Sequence, residues 1–254
     1  MQPSEIQADL LRRVEEASGK PVLLQSDPSF SGHATVKIAR DHQPNHTLLY
    51  KPDHEAELPY LAAFQCSLAL RTIQASEKSR FDLTSSASLV PDVEKMVTTH
   101  LRTNGAASPD VAPQLAASFG HGLGFQLRSM PIAICIDKQL HDAYPELRPI
   151  QRINVDRQLQ ENMQALSPSV KSLAPQEIID ASAAMNAAFA IFWAKLWNDR
   201  KIELPYVAAG YREVGQELLD FTENVVSPDD DKQLVDAWAK RLGLDRWFST
   251  ISRN

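Results

Sequence analysis

The sequence predicts an α+β protein, with a small antiparallel three-stranded sheet near the N-terminus followed by a mainly helical subdomain. Three observations predict it. Period-two alternation is confined to residues 22–51, helical spacing of apolar residues flanks it on both sides, and no strand signal follows residue 75. The 254 residues are 43% hydrophobic and 23% charged, which excludes a disordered chain, a collagen and a disulfide-stapled miniprotein. We expect a single compact domain over residues 1–254. Within it, an α-β-β-β-α unit occupies residues 1–76 and a helical subdomain residues 77–254.

Residues 4–18 place Ile6, Leu10, Leu11, Val14 and Ala17 on one helical stripe, with Ser4 and Gln7 fitting a capping box and Gly19 the stop. Val22 to Gln25 is a short strand, and residues 27–32 (DPSFSG) are turn chemistry. His33 to Arg40 alternates, with Ala34, Val36 and Ile38 on one face. Residues 41–45 turn, and His46 to Lys51 forms a third strand. An antiparallel meander needs a cover on one face, and the helix over 55–74 supplies it. Leu58, Leu61, Phe64, Leu68, Leu70 and Ile73 wrap most of its circumference, which reads as a central, buried helix with an acidic start.

Helices follow over 86–102 (interrupted at Pro91), 108–128, and from Ser129 and Pro131 through His141. The helix over 150–166 is polar, with Arg152–Asp156 and Arg157–Glu161 at i,i+4 spacing. Residues 175–198 form an Ala-rich helix that permits close approach of a neighbour. Residues 211–224 and a last helix opened by Ser227-Pro228 and stopped at Gly243 complete the chain.

Lys and Arg number 26 against 32 Asp and Glu, a net charge of −6, which argues against a nucleic-acid partner. The N-terminus lacks a secretory pattern and no stretch is apolar enough for a membrane span. Cys66 and Cys135, far apart and without a C-x-x-C, read as buried structural thiols in a reducing compartment, so a cytoplasmic location is expected.

No P-loop, G-x-G-x-x-G, G-x-S-x-G or kinase set is present. Gly120, Gly122 and Gly124 read as packing glycines. The most informative stretch is YLAAFQCSLALR, Tyr60 to Arg71. The order helix, three strands, buried helix over residues 4–74 resembles the core of zincin-type metallopeptidases, whose buried helix carries H-E-x-x-H. Laid on this helix, that motif falls on Phe64-Gln65-Cys66-Ser67-Leu68. Phe64 and Leu68 have no lone pair for a metal, and the Gln65 amide takes no proton at neutral pH. The resemblance therefore implies a zincin-like scaffold without its metal site. Taken without it, Phe64 and Leu68 are ordinary core residues.

Other constellations read as follows. Asp53, His54, Glu55 and Glu57 are an acidic helix start before they are metal ligands. His33, His46 and His54 form a zinc triad only if the fold brings them together. His100, His121 and His141 lie on three helices, with Asp137 one turn from His141. Trp193 and Trp197 read as core. Trp238, Trp247 and Phe248 either cap the core or form a partner patch, and Asp229-Asp230-Asp231 is a helix start. The sequence thus assigns no catalytic, cofactor-binding or metal residue. It points to a non-catalytic protein-binding or regulatory protein whose partner is another protein. The alternative is a peptidase-like, metal-dependent hydrolase with a site assembled from scattered His and acidic residues.

Overall fold

The computed structural model describes residues 1–105 and 107–253. In chain order the elements are α1 (Pro3–Ser18), β1 (Val22–Ser26), β2 (Ala34–Lys37), β3 (His46–Tyr50), α2 (Leu58–Gln74), β4 (Phe81–Ser85) and α3 (Leu89–Asn104). There follow α4 (Ala112–Ala143), α5 (Arg148–Met163), α6 (Pro168–Leu173), α7 (Gln176–Leu196), α8 (Leu204–Ala208), α9 (Arg212–Glu223), α10 (Asp231–Arg241) and β5 (Phe248–Ser252). The chain is α+β, and it divides into two compact units. One comprises Met1–Ser76 with Ile136–Arg157, the other Glu77–Cys135 with Gln158–Asn254.

In the first unit, α1 starts at Pro3 and its capping box is formed by Gln2 and Glu5, two residues before the Ser4 and Gln7 of the sequence reading. Pro3 sits at the first helical position, where its missing N–H costs nothing, and the Gln2 N–H donates to Glu5 Oε2 at 2.7 Å. Gly19 ends the helix with φ 70°, its N–H bonding Glu15 O. Ile6, Leu10 and Val14 are buried, while Leu11 is half-buried and Ala17 exposed, so the apolar stripe is narrower than its sequence.

The sheet corrects the predicted meander. Its order is β1-β3-β2, and β1 runs parallel to β3 while β2 runs antiparallel to it, so the sheet is mixed. Alternation fixes which face of a strand is buried but not which strand is central. Residues 27–33 carry the chain past the end of β3, with the Asp27 N–H on Tyr50 O and the Lys51 N–H on His33 O. The mark of the central strand is that Leu48 and Leu49, adjacent in sequence, are both buried, as a strand covered on both faces requires. α2 begins after a 3-10 turn over Pro52–Glu57 rather than at residue 55.

In the second unit, β4 and β5 pair antiparallel, a two-stranded ladder the sequence does not announce. Each strand is five residues long and the partners lie more than 160 residues apart. At that length period-two alternation is indistinguishable from loop. α3 starts at Leu89, so Pro91 falls in its first turn, where the lost N–H has no helical partner, and interrupts nothing. α4 is continuous through Pro131 instead of restarting there. The proline removes one backbone bond, but buried Leu127, Met130, Ile132 and Ile134 hold the helix on both sides of it. α7 is buried almost throughout and receives α9 closely. A Cβ on Gly215 would lie 2.7 Å from Ala187 Cβ and 3.0 Å from Ala188 N. Trp238, Trp247 and Phe248 are all buried, which makes them core rather than a partner patch.

Candidate functional site

The helix singled out by the sequence carries a buried face one step from the expected one. Ala62, Ala63, Cys66, Ala69 and Leu70 are buried, whereas Phe64, Gln65 and Leu68 are only half-buried. Phe64 and Leu68 are therefore not full core residues. A helix packed on a sheet and on α1 admits small residues where the backbones come close, and the large ones move to the flanks. Burial pushes the Cys66 thiol up to about 12, so it does not form a nucleophilic thiolate. Cys135 is half-buried, not buried.

Gln65 has a defined partner. Its Oε1 accepts from the Val36 N–H and its Nε2 donates to Ala34 O, each at 3.1 Å. In the β2–β3 ladder the odd residues of β2 face β3, so Ala34 and Val36 turn their N–H and C=O outward. The side-chain amide of Gln65 thus stands where the N–H and C=O of one residue of a further strand would.

Two of the three triad histidines meet. The His33 and His54 rings lie 4.5 Å apart. Arg157 Nη1 and Nη2 donate to Glu57 Oε2 and Oε1 at 2.9 and 2.5 Å, and Nη1 also lies 3.1 Å from His54 Nδ1. A guanidinium only donates, so in this contact His54 Nδ1 is the acceptor. Burial works to raise the Glu57 carboxyl, but the Arg157 fork outweighs it and holds it below the usual range. Arg157 was missed because it lies 100 residues from Glu57 and reads locally as an i,i+4 partner of Glu161.

His46 does not join them. Its Nδ1 accepts from the Ala39 N–H and its Nε2 donates to Ser18 Oγ, both at 2.9 Å, and burial with the charge of Lys20 lowers its pKa. It pins β3 to the end of α1. Among the described residues no three His, Cys, Asp or Glu side chains are placed to hold a metal ion.

A second polar cluster is buried in the same unit. Tyr60 Oη donates to Asp137 Oδ1 at 2.6 Å, and Gln151 Nε2 donates to the same oxygen at 3.2 Å and to Asp137 O at 3.0 Å. His141 Nδ1 lies 3.1 Å from Gln151 Oε1, which makes the histidine the donor. Asp137 is 2% exposed. Burial raises its carboxyl to about 7 against the pull of both hydrogen bonds. This group holds a proton near neutrality, but it faces Tyr60 and Gln151 rather than solvent. The i,i+4 spacing of Asp137 and His141 was the visible signal. Gln151, the residue that links them, had none.

In the second unit a cleft of about 680 Å³ is lined by one face of α3, the first turn of α7, and Arg246 and Trp247. Its charges are already committed in part. Arg246 pairs with Glu177, Trp247 Nε1 donates to Asp92 Oδ2 at 3.1 Å, and His100 Nε2 faces the Lys171 and Ser172 carbonyls at 3.2 Å. His121 is exposed. A Cβ on Gly124 would lie 2.8 Å from the Phe248 ring and one on Gly120 3.2 Å from Leu89, a clash and a tight fit respectively, while Gly122 meets nothing within 4 Å. Trp193 is buried, and its ring centroid lies 4.3 Å from that of Trp197 with the planes tilted by 38°. Asp230 closes a capping box with Ser227.

Among the described residues no helix is long and apolar enough to cross a membrane. No protein-family model, curated protein or solved structure matches this chain.

Proposed function

We propose that this chain is a non-catalytic, cytoplasmic protein-binding or regulatory protein on a zincin-like scaffold that lacks the metal site. Its partner is another protein and not nucleic acid. The observation that carries the reading is Gln65. At the position where the resemblance places a general base, the side chain is an amide with both of its ends hydrogen-bonded to the backbone of β2. Phe64 and Leu68, on the flanking ligand positions, offer no lone pair. The net charge of −6 supports a protein partner over nucleic acid.

The second reading, a metal-dependent hydrolase, draws on the nearness of His33, His54 and Glu57, with His54 Nδ1 3.6 Å from Glu57 Oε1, and needs these side chains to leave Arg157 and regroup, since they are not placed to hold a metal ion. Elemental analysis of protein equilibrated with zinc and then dialysed separates the two. The binding reading predicts substoichiometric zinc and unchanged thermal stability in chelator. One zinc per chain, lost in His54→Ala together with hydrolysis of a peptide substrate, would establish the hydrolase.

A further inference from the structure

The two edges of the first unit's sheet are treated differently. The β2 edge is filled by Gln65 and carries Lys37. The β1 edge has neither device. Pro21 O bonds the His46 N–H and the Asp27 N–H bonds Tyr50 O, so the odd residues of β1 face β3, and Val22, Leu24 and Ser26 present their N–H and C=O groups outward. β1 has no charge, no proline and no bulge along VLLQS, and Leu23 and Leu24 are 52% and 40% exposed. Edges of this kind pair with another strand unless something blocks them.

We infer that β1 is a homodimerisation edge, pairing antiparallel with β1 of a second copy of this chain about a twofold axis at Leu24. The strand is complementary to itself in that arrangement. Only even residues face outward, so Leu24 meets Leu24, Val22 meets Ser26, and Leu23 lies across from Gln25. The segment is bounded by Lys20 at one end and Asp27 at the other, so antiparallel pairing brings the cationic end of each copy to the anionic end of its partner. Parallel pairing would set like charges together. The product is one continuous six-stranded sheet with an isologous interface. The inference rests on the protein-binding reading and names the partner as the chain itself.

Sedimentation equilibrium of the full chain tests it, with circular dichroism to confirm folding. The expected result is a dimer that Leu24→Lys converts to monomer, while Leu204→Lys, at an exposed leucine of the other unit, leaves it dimeric. Under mild oxidant Leu24→Cys should form an intermolecular disulfide and Ser26→Cys should not, which reads the register directly. A chain that is monomeric at every concentration overturns the inference, as does a dimer indifferent to Leu24→Lys or cross-linked through residue 26 in preference to 24. A zinc-free monomer overturns this inference alone, whereas stoichiometric zinc with hydrolysis overturns the reading beneath it.

Discussion

The Val36 N–H meets Gln65 Oε1 at 3.1 Å, and the same side chain closes on Ala34 O two residues back. One glutamine thereby ties α2 to the outer edge of β2 and satisfies two backbone groups that an edge strand otherwise leaves to water.

Gln65→Glu replaces the donating Nε2 by an oxygen that faces the Ala34 carbonyl. One hydrogen bond is lost and two acceptors oppose each other, at a cost of about 1–3 kcal/mol. The measurement is urea denaturation, with a lowered midpoint at unchanged slope. A variant as stable as the parent would show that the side chain does not hold this edge.

Leu48 is fully buried in β3, whereas Phe64 is half-buried on α2. Leu48→Ala should therefore cost about 2–5 kcal/mol and Phe64→Ala below about 2 kcal/mol, because Phe64 has less buried surface to lose. Paired denaturation curves decide it. The reverse order would restore Phe64 to the core.

Asp137 makes stability depend on pH. Its carboxyl titrates near 3.8 when unfolded and at about 7 when buried. The native state then binds more protons, so stability falls as pH rises from about 4 to about 7 and levels above that, by on the order of 4 kcal/mol in all. Asp137→Asn keeps an oxygen for Tyr60 and Gln151 and removes the titration. It should be more stable than the parent at pH 8, with the gap closing toward pH 4. A gap independent of pH would mean that Asp137 is not the titrating group.

Gly215 and Gly122 should respond oppositely to alanine. A Cβ at Gly215 strikes α7, and destabilisation of about 1–3 kcal/mol is expected. A Cβ at exposed Gly122 meets nothing within 4 Å, and a helical glycine replaced by alanine gains about 0.5–1 kcal/mol. Thermal unfolding of the two variants reads both signs.

The helices were legible where their apolar spacing is strong. α7 and α9 lie within two residues of the expected limits, and Gly19, Gly105 and Gly243 each adopt positive φ at a helix end. Strand order was not legible, because alternation carries no information on neighbours. The structure marks β3 as central by burying both Leu48 and Leu49, whereas the same adjacent pair in β1, Leu23-Leu24, is exposed, so the residues themselves do not tell the two strands apart. β4 and β5 escaped because pairing over so long a separation leaves no local trace. The chemistry of Gln65 followed from residue type, but its hydrogen bonds to β2 did not. Likewise Arg157 on Glu57 and Gln151 on Asp137 are tertiary facts with no periodic signature.

Amide hydrogen exchange at Val36 tests the central claim most directly. If Gln65 is a structural clamp, the Val36 N–H exchanges slowly in the native protein. In Gln65→Ala it becomes fast, while Leu48 and Leu49 in β3 stay protected. Fast exchange at Val36 in the parent chain, or slow exchange that survives Gln65→Ala, would free Gln65 from the sheet edge and contradict the account.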